Sequence, residues 1–418
     1  MKKVRLGIFG LNRGGYYIPY FLQNDADIVA ICDKNEKWQN YAKDKLDKDV
    51  VCYDNFDEFI NHPMDAVFLA NYFHEHTSYA IKCLEKGIHV LSECTSNGTM
   101  AEGVALVRAA EKSNAIYMLA ENYPYMTHNR EMKRICDGGT LGKILYAEGE
   151  YNHPGDAHSS AGVGTLFDSE KHWRCYLPKT YYVTHSLAPI MFATGATPKK
   201  VTAFPVSIAD DTDVCRASYS GADNSALIMT HNDDGSVFRV TACSRFGGHH
   251  NAYRICGKNG SVENVRGTRD KIMLRYNGWT KPEGVETDNF YLPEINDKDE
   301  ELIKQAGHGG GDFFVAREFL NAVRENKPHP FDVYFATTMA SVAILAHRGI
   351  LEGGKTYDIP DFRKEEDRVK YENDYLTPFW GSDGSAPTIP CGSDPNYQPS
   401  DLQKEKFRNA LIEHHGHY

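Results

Sequence analysis

Residues 4 to 15, VRLGIFGLNRGG, set a short apolar run directly before a glycine-rich turn, and a second apolar run, VAIC, ends at Asp33. That spacing suits a dinucleotide. Gly10 lets the chain turn off a strand, Gly14 and Gly15 let backbone N–H groups and a helix start approach a pyrophosphate, and Asp33 can accept the adenosine ribose hydroxyls. An acid at that point favours NAD over NADP. Asn12 stands where the second glycine of G-x-G-x-x-G falls, and Asn tolerates left-handed backbone better than most residues. Further along, groups able to move protons recur at short spacing: Tyr151-x-His153, Tyr182-x-x-His185, and the adjacent His249 and His250. Tyr-x-His on a strand puts both rings on one face, whereas His249 and His250 must face opposite sides, so at most one lines a pocket. The chain has 18 histidines. Even so, no H-E-x-x-H occurs, and the HEH at 74–76 is a poor chelate on a strand-to-helix turn, so no metal is expected.

The elements that must carry these groups follow from the pattern of apolar runs. DAVFLAN, a helix HTSYAIKCLEKG, IHVLSE, a helix MAEGVALVRAAEKS and AIYMLAEN, ending at Asn122, continue the alternation begun at Val4. This predicts an α/β fold: an N-terminal Rossmann domain with a doubly wound parallel sheet over 1–123. Polar alternation in VTAFPVSIA, SALIMTHN, SVFRVTACSRF and AYRICGKNGSVEN then predicts a second, α+β domain over 124–360 with an open, mostly antiparallel sheet. A late apolar helix at 335–350 is expected to pack between the domains, and 361–418 reads as an extended arm with a short C-terminal helix. The 418 residues carry a net charge of −11 with no Lys/Arg cluster, which argues against nucleic-acid binding. No apolar run approaches a membrane span, and the 10 cysteines form no C-x-x-C pair. With a strand starting at Val4, a cytoplasmic protein is expected.

Residues 70–95, ANYFHEHTSYAIKCLEKGIHVLSECT, resemble the cofactor segment of the glucose-fructose oxidoreductase, inositol dehydrogenase and rhizopine catabolism superfamily. There the stretch ends in a Glu-Lys-Pro triplet whose lysine handles the proton of the reacting hydroxyl. Here the triplet is Glu93, Cys94, Thr95. MLAENYPY, YNH, HWR, YVTH followed by LAP, and GHGGGD sharpen the likeness. Up to about residue 350 the chain is similar to glycoside hydrolase family 109, the NAD-dependent N-acetylgalactosaminidase-like glycosidases, which also replace that lysine.

The resemblance implies a tightly held NAD. Gly10, Asn12, Arg13, Gly14 and Asp33 would meet its adenosine and pyrophosphate end; Asn71, Phe73, His74, His76, Glu93, Cys94, Glu121, Asn122 and Trp173 would line the remainder. It implies catalytic roles for Tyr151, His185 and His153, with Arg174, Tyr182, His249 and His308 around a glycoside. His249 falls where that family carries a substrate-contacting tyrosine. The implied chemistry is transient oxidation at sugar C3, loss of the C2 proton, elimination of the aglycon, water addition and re-reduction, a scheme without the usual pair of carboxylates. The competing expectation is a plain NAD-dependent sugar or cyclitol dehydrogenase, or an enzyme that hands a keto-sugar to a partner. A dimer or tetramer is expected by analogy alone.

Overall fold

The computed structural model describes residues 3–46, 49–154, 167, 169–207, 223–268 and 270–415. Six apolar runs pair as parallel strands: β1 (Val4–Phe9), β2 (Ala26–Cys32), β3 (Val51–Tyr53), β4 (Ala66–Leu69), β5 (His89–Ser92) and β6 (Tyr117–Leu119). Their order is β3-β2-β1-β4-β5-β6, the doubly wound arrangement expected, with its reversal between β1 and β4. Both faces are covered, which is why Leu6, Ile8 and all of β4 are buried and why these strands read as continuous apolar runs. The intervening helices are α1 (Leu11–Gln23), α2 (Glu36–Lys43), α3 (Phe56–Phe59), α4 (His76–Glu85) and α5 (Met100–Lys112). The start of α5 is set by a capping box: Thr99 accepts the Glu102 N–H while the Glu102 carboxylate accepts the Thr99 N–H.

The chain divides into two compact units that are interleaved along the sequence rather than consecutive. The first comprises residues 1–131, 293–340 and 360–375. Within it, the helix Gly311–Glu325 packs on α1 and β1. Residues 360–375, all but the first of which were expected in an extended arm, also belong here. Arg368 pairs with Glu111 of α5, and Arg108 pairs with Glu365 and Glu372. Charged side chains placed this densely in a polar, Pro-containing stretch read as solvated in sequence, and their partners lie some 260 residues away.

The second unit comprises residues 132–292, 341–359 and 376–418. Its strands are β7 (Ile144–Asn152), β8 (Pro198–Ser207), β9 (Asp223–Asn232), β10 (Val237–Thr241), β11 (His250–Gly257), β12 (Gly260–Asn264), β13 (Ile272–Tyr276), β14 (Asp288–Tyr291) and β15 (Tyr357–Asp358). They form one sheet in the order β14-β13-β12-β11-β7-β10-β9-β8-β15. Only β7 and β10 run parallel; every other pair is antiparallel. The last three strands bury one side chain, Ile272, so their sequences carry little alternation, and the sequence does not predict them. Among the described residues no helix is long and apolar enough to cross a membrane.

The central strand β7 is held against the helix Thr184–Thr194 by a contact that admits no side chain. A Cβ on Gly149 would sit 2.0 Å from the Ser186 carbonyl oxygen. Substituting Gly149→Ala must push the helix off the sheet, and overpacking of this kind costs roughly 3 kcal/mol. Urea unfolding of that variant is expected to show such a loss; unchanged stability would mean that the strand and helix are not in this contact.

Candidate functional site

In the first unit the glycine-rich turn behaves as its sequence requires. Gly10 has φ +87°, and a Cβ there would lie 2.4 Å from the Ala70 carbonyl group, so only glycine lets β1 turn this close to the end of β4. Asp33, closing β2, accepts the Leu11 N–H through one oxygen at 2.6 Å and the Asn35 N–H through the other at 2.8 Å. Burial pushes its carboxyl up, and these two N–H donors oppose that shift. With the Leu11 N–H taken and Gly14 bonded back to Gly10, the N–H groups of Asn12 and Arg13 are the remaining donors of the helix start. Next to this turn, at the carboxyl end of β4, both side-chain amide atoms of Asn71 are buried without a hydrogen-bond partner among the described residues. An orphaned donor and acceptor beside a helix start suit a dinucleotide, so the residues present fit NAD.

Around that crevice the other expected residues take distinct places. Phe73 is buried, and His74 lies nearly parallel to the Tyr72 ring. His76 is fully buried with Nδ1 2.8 Å from the Thr95 carbonyl and Nε2 3.2 Å from that of Asn71, so it ties the ends of β4 and β5 together. Burial pushes its pKa down, and the two carbonyls and the Glu93 charge oppose that shift. The Cys94 thiol donates to the buried Glu121 carboxylate at 3.1 Å, and Glu121 also accepts the Tyr123 N–H.

Arg13 does not extend alone toward a pyrophosphate. Its Nε donates to Glu93 at 2.8 Å and its Nη2 to Asp312 at 3.2 Å. Asp312, almost wholly buried, also accepts from Tyr17 Oη at 2.8 Å, Asn122 Nδ2 at 2.7 Å and His308 Nδ1 at 2.9 Å. His308, expected beside the sugar, is thus fixed in the first unit. Burial alone would raise the Asp312 carboxyl, but the His308 hydrogen bond, the charge of Arg13 and the Asn122 amide outweigh it and hold it below the usual carboxylate range. Asp312 closes the GHGGGD motif but was given no role of its own, although its position four residues after His308 and in the first turn of a helix is a signal for a carboxylate partner.

The second unit gathers the tyrosines and histidines. Tyr151 and His153 stand at and just beyond the end of β7, and His185 lies in the first turn of Thr184–Thr194. The Tyr151 ring is 5.0 Å from His185 and perpendicular to it, and 5.9 Å from Tyr182 and nearly parallel to it. Tyr182 meets His185 at 5.3 Å, and His153 meets His249 at 4.6 Å. His250 turns the other way, toward Glu150 at 3.5 Å, as strand alternation requires. A residue not anticipated, Tyr253 on β11, donates its hydroxyl to the His185 carbonyl at 2.6 Å and so fixes the backbone beneath that ring. Trp173, expected at the cofactor, is also in this unit, on the 3-10 turn Trp173–Cys175, where Arg174 lies over its indole at 4.3 Å. Among the described residues no group of three or more His, Cys, Asp or Glu side chains is placed to hold a metal ion.

Three family models match the chain. Residues 4–121 match the oxidoreductase family NAD-binding Rossmann fold, residues 129–263 the GFO/IDH/MocA C-terminal domain, and residues 206–368 the glycosyl hydrolase 109 C-terminal domain. Among curated relatives, a glycosyl hydrolase family 109 protein of Stenotrophomonas maltophilia is 22% identical over 86% of this chain and 89% of its own. One of Streptomyces niveus is 25% identical over 87% and 78%. An alpha-N-acetylgalactosaminidase of Tannerella forsythia is 22% identical over 81% of each chain. Among solved structures, levoglucosan dehydrogenase in complex with NADH and levoglucosan has a TM-score of 0.72 at 16% identity, covering 86% of this chain and 100% of that one. An oxidoreductase from Agrobacterium radiobacter in complex with NAD+, L-tartaric acid and magnesium has a TM-score of 0.67 at 13% identity, covering 86% and 99%. Those two likenesses are of fold.

The Asp312 network yields a signed expectation. Because the folded state holds this carboxyl below its ordinary value, the stability it contributes is present above about pH 4 and is lost as the pH falls through and below that value. Asp312→Asn leaves Arg13 to Glu93 alone and sets its other donors against a neutral amide, and is expected to lose about 2 kcal/mol at pH 7. Urea unfolding at a series of pH values should show the gap between wild type and variant narrowing toward pH 3. A gap of constant size would mean that the ionised carboxylate is not what holds the cluster.

Proposed function

We propose that this chain, which belongs to the Gfo/Idh/MocA oxidoreductase superfamily and carries a glycosyl hydrolase 109 C-terminal domain, is an NAD-dependent glycosidase. The observation that carries the reading is the perpendicular pair of Tyr151 and His185 at 5.0 Å, with Tyr182 against both. A phenol and an imidazole in contact are a proton donor and acceptor set with no pair of opposed carboxylates beside it among the described contacts, and that is what the transient-oxidation route asks for. The names of the relatives support a glycoside as substrate.

In the first unit the N–H groups of Asn12 and Arg13, the Asp33 carboxylate and the Asn71 amide are the groups to hold NAD. When bound, NAD supplies reversible hydride acceptance at C3 of the sugar, and a C3 ketone makes the neighbouring C2–H acidic. The protons are the work of the chain. His185 takes the proton of the C3 hydroxyl, and Tyr151, held against the His185 and Tyr182 rings, removes the C2 proton. His153 and Arg174 orient and polarise the sugar hydroxyls. With Cys94 donating its thiol proton to Glu121, the position that carries lysine in ordinary superfamily dehydrogenases offers no amine to the C3 hydroxyl, which leaves that proton to His185.

The test is proton NMR of the purified enzyme in D2O with α- and β-aryl glycosides, N-acetylgalactosaminides included, and no added NAD. Free sugar carrying deuterium at C2 is the expected product. NADH appearing only when NAD⁺ is supplied, with no sugar released, would make the protein a sugar or cyclitol dehydrogenase instead. Tyr151→Phe is expected to lower kcat about 100-fold, as loss of a positioned proton-transfer group does, while NADH affinity is unchanged.

A further inference from the structure

All three family matches end by residue 368, whereas the second unit continues through residues 376–415. That segment packs repeatedly against one stretch, residues 167–182, which carries Arg174 and Tyr182. Phe407 and Leu411 of the helix Asp401–His415 form a fully buried cluster with Phe167 and Cys175. The Phe407 ring meets Phe167 edge-on at 5.5 Å, Phe167 meets His172 at 5.3 Å, and His172 accepts the Arg174 N–H. Trp380 lies edge-on to Tyr176 at 6.2 Å, with the Lys171 ammonium 4.0 Å above its ring. Phe379 lies edge-on to Tyr181 at 5.5 Å, one residue before Tyr182. The tail is itself anchored: the Pro390 carbonyl lies 2.7 Å from Nε2 of the buried His347, and Ser393 binds Asp223 through both its N–H and its hydroxyl.

The arrangement divides labour along 167–182. Phe167, Cys175, Tyr176 and Tyr181 engage the tail, while their neighbours Arg174 and Tyr182 stand over Trp173 and Tyr151. Both supporting pieces are 3-10 turns of three and four residues, Trp173–Cys175 and Lys179–Tyr182, too short to hold a geometry by their own hydrogen bonds. Packing from behind therefore contributes to holding their side chains in place.

We infer that residues 376–415 are a brace that positions Arg174 and Tyr182, so that Phe379, Trp380, Phe407 and Leu411 are positioning residues for the sugar although the segment lies outside the family matches. What the brace positions rests on the glycosidase reading; that it holds 167–182 does not. The experiment is made on the full chain with Phe407→Ala, with Phe407→Leu as its conservative control, and, as a milder change at a half-exposed ring, Trp380→Ala, with Trp380→Phe as its control. Hydrogen exchange is followed by mass spectrometry at residues 169–182 and at β1–β6. Amides of 169–182 should exchange about tenfold faster in Phe407→Ala, with β1–β6 unchanged and Phe407→Leu close to wild type. With the 4-nitrophenyl glycoside that the wild type cleaves fastest, KM should rise about tenfold while kcat falls less than threefold and NADH affinity holds. Unaltered exchange at 169–182 in both alanine variants would overturn the brace, as would equal loosening of β1–β6. Should Phe407→Ala not fold, Trp380→Ala decides by the same two readouts. If the wild type cleaves no glycoside, the exchange result still stands or falls alone, while the glycosidase reading fails separately.

Discussion

One buried carboxylate organises the nucleotide-binding unit. Asp312 accepts from Tyr17 and Arg13 on α1, Asn122 after β6 and His308 before its own helix, and through Arg13 it reaches Glu93 after β5. Burying such a charge is unfavourable unless its lone pairs are filled. Four donors fill them, and they come from three separate stretches of chain. The ends of two strands and the first turn of a helix are thereby fixed by one group, at the edge of the sheet where strand order reverses and an open α/β sheet binds its ligand.

The parallel sheet was legible because a fully buried strand must be apolar at every position and a glycine-rich turn has few other uses. The antiparallel sheet was legible where alternation is strong, from β7 to β12, and not in β13 to β15, where Ile272 is the one buried side chain. Site residues showed the same division. Tyr151, Tyr182 and His185 fall together because a strand end and a helix start each offer a local rule for where a side chain points. His308 lies in the first unit and Trp173 in the second. For His308 that follows from the chain re-entering the first unit after residue 292, and no local pattern encodes that.

Cys94 illustrates how a substitution is absorbed. A thiol is a weak donor, yet here it faces the carboxylate of a wholly buried Glu121, which needs a proton donor on that side and receives a second one from the Tyr123 backbone. An apolar residue at the same point would leave one Glu121 oxygen with less to bind. The cysteine is therefore matched to its acid rather than being an inert filler.

The interleaving of the first unit also orders events during synthesis. A ribosome that has made residue 123 has made all six strands of the parallel sheet, together with Arg13, Glu93 and Asn122. It has yet to make Asp312, and the last segment of the unit, residues 360–375, comes later still. Until nearly 190 further residues have emerged, the Asn122 amide and the Arg13 guanidinium lack the carboxylate that joins them. Contacts of such sequence separation are slow to close and leave unfinished surfaces open meanwhile. The nascent sheet is thus a platform that waits for its keystone, and completion of the nucleotide crevice is tied to translation of almost the whole chain.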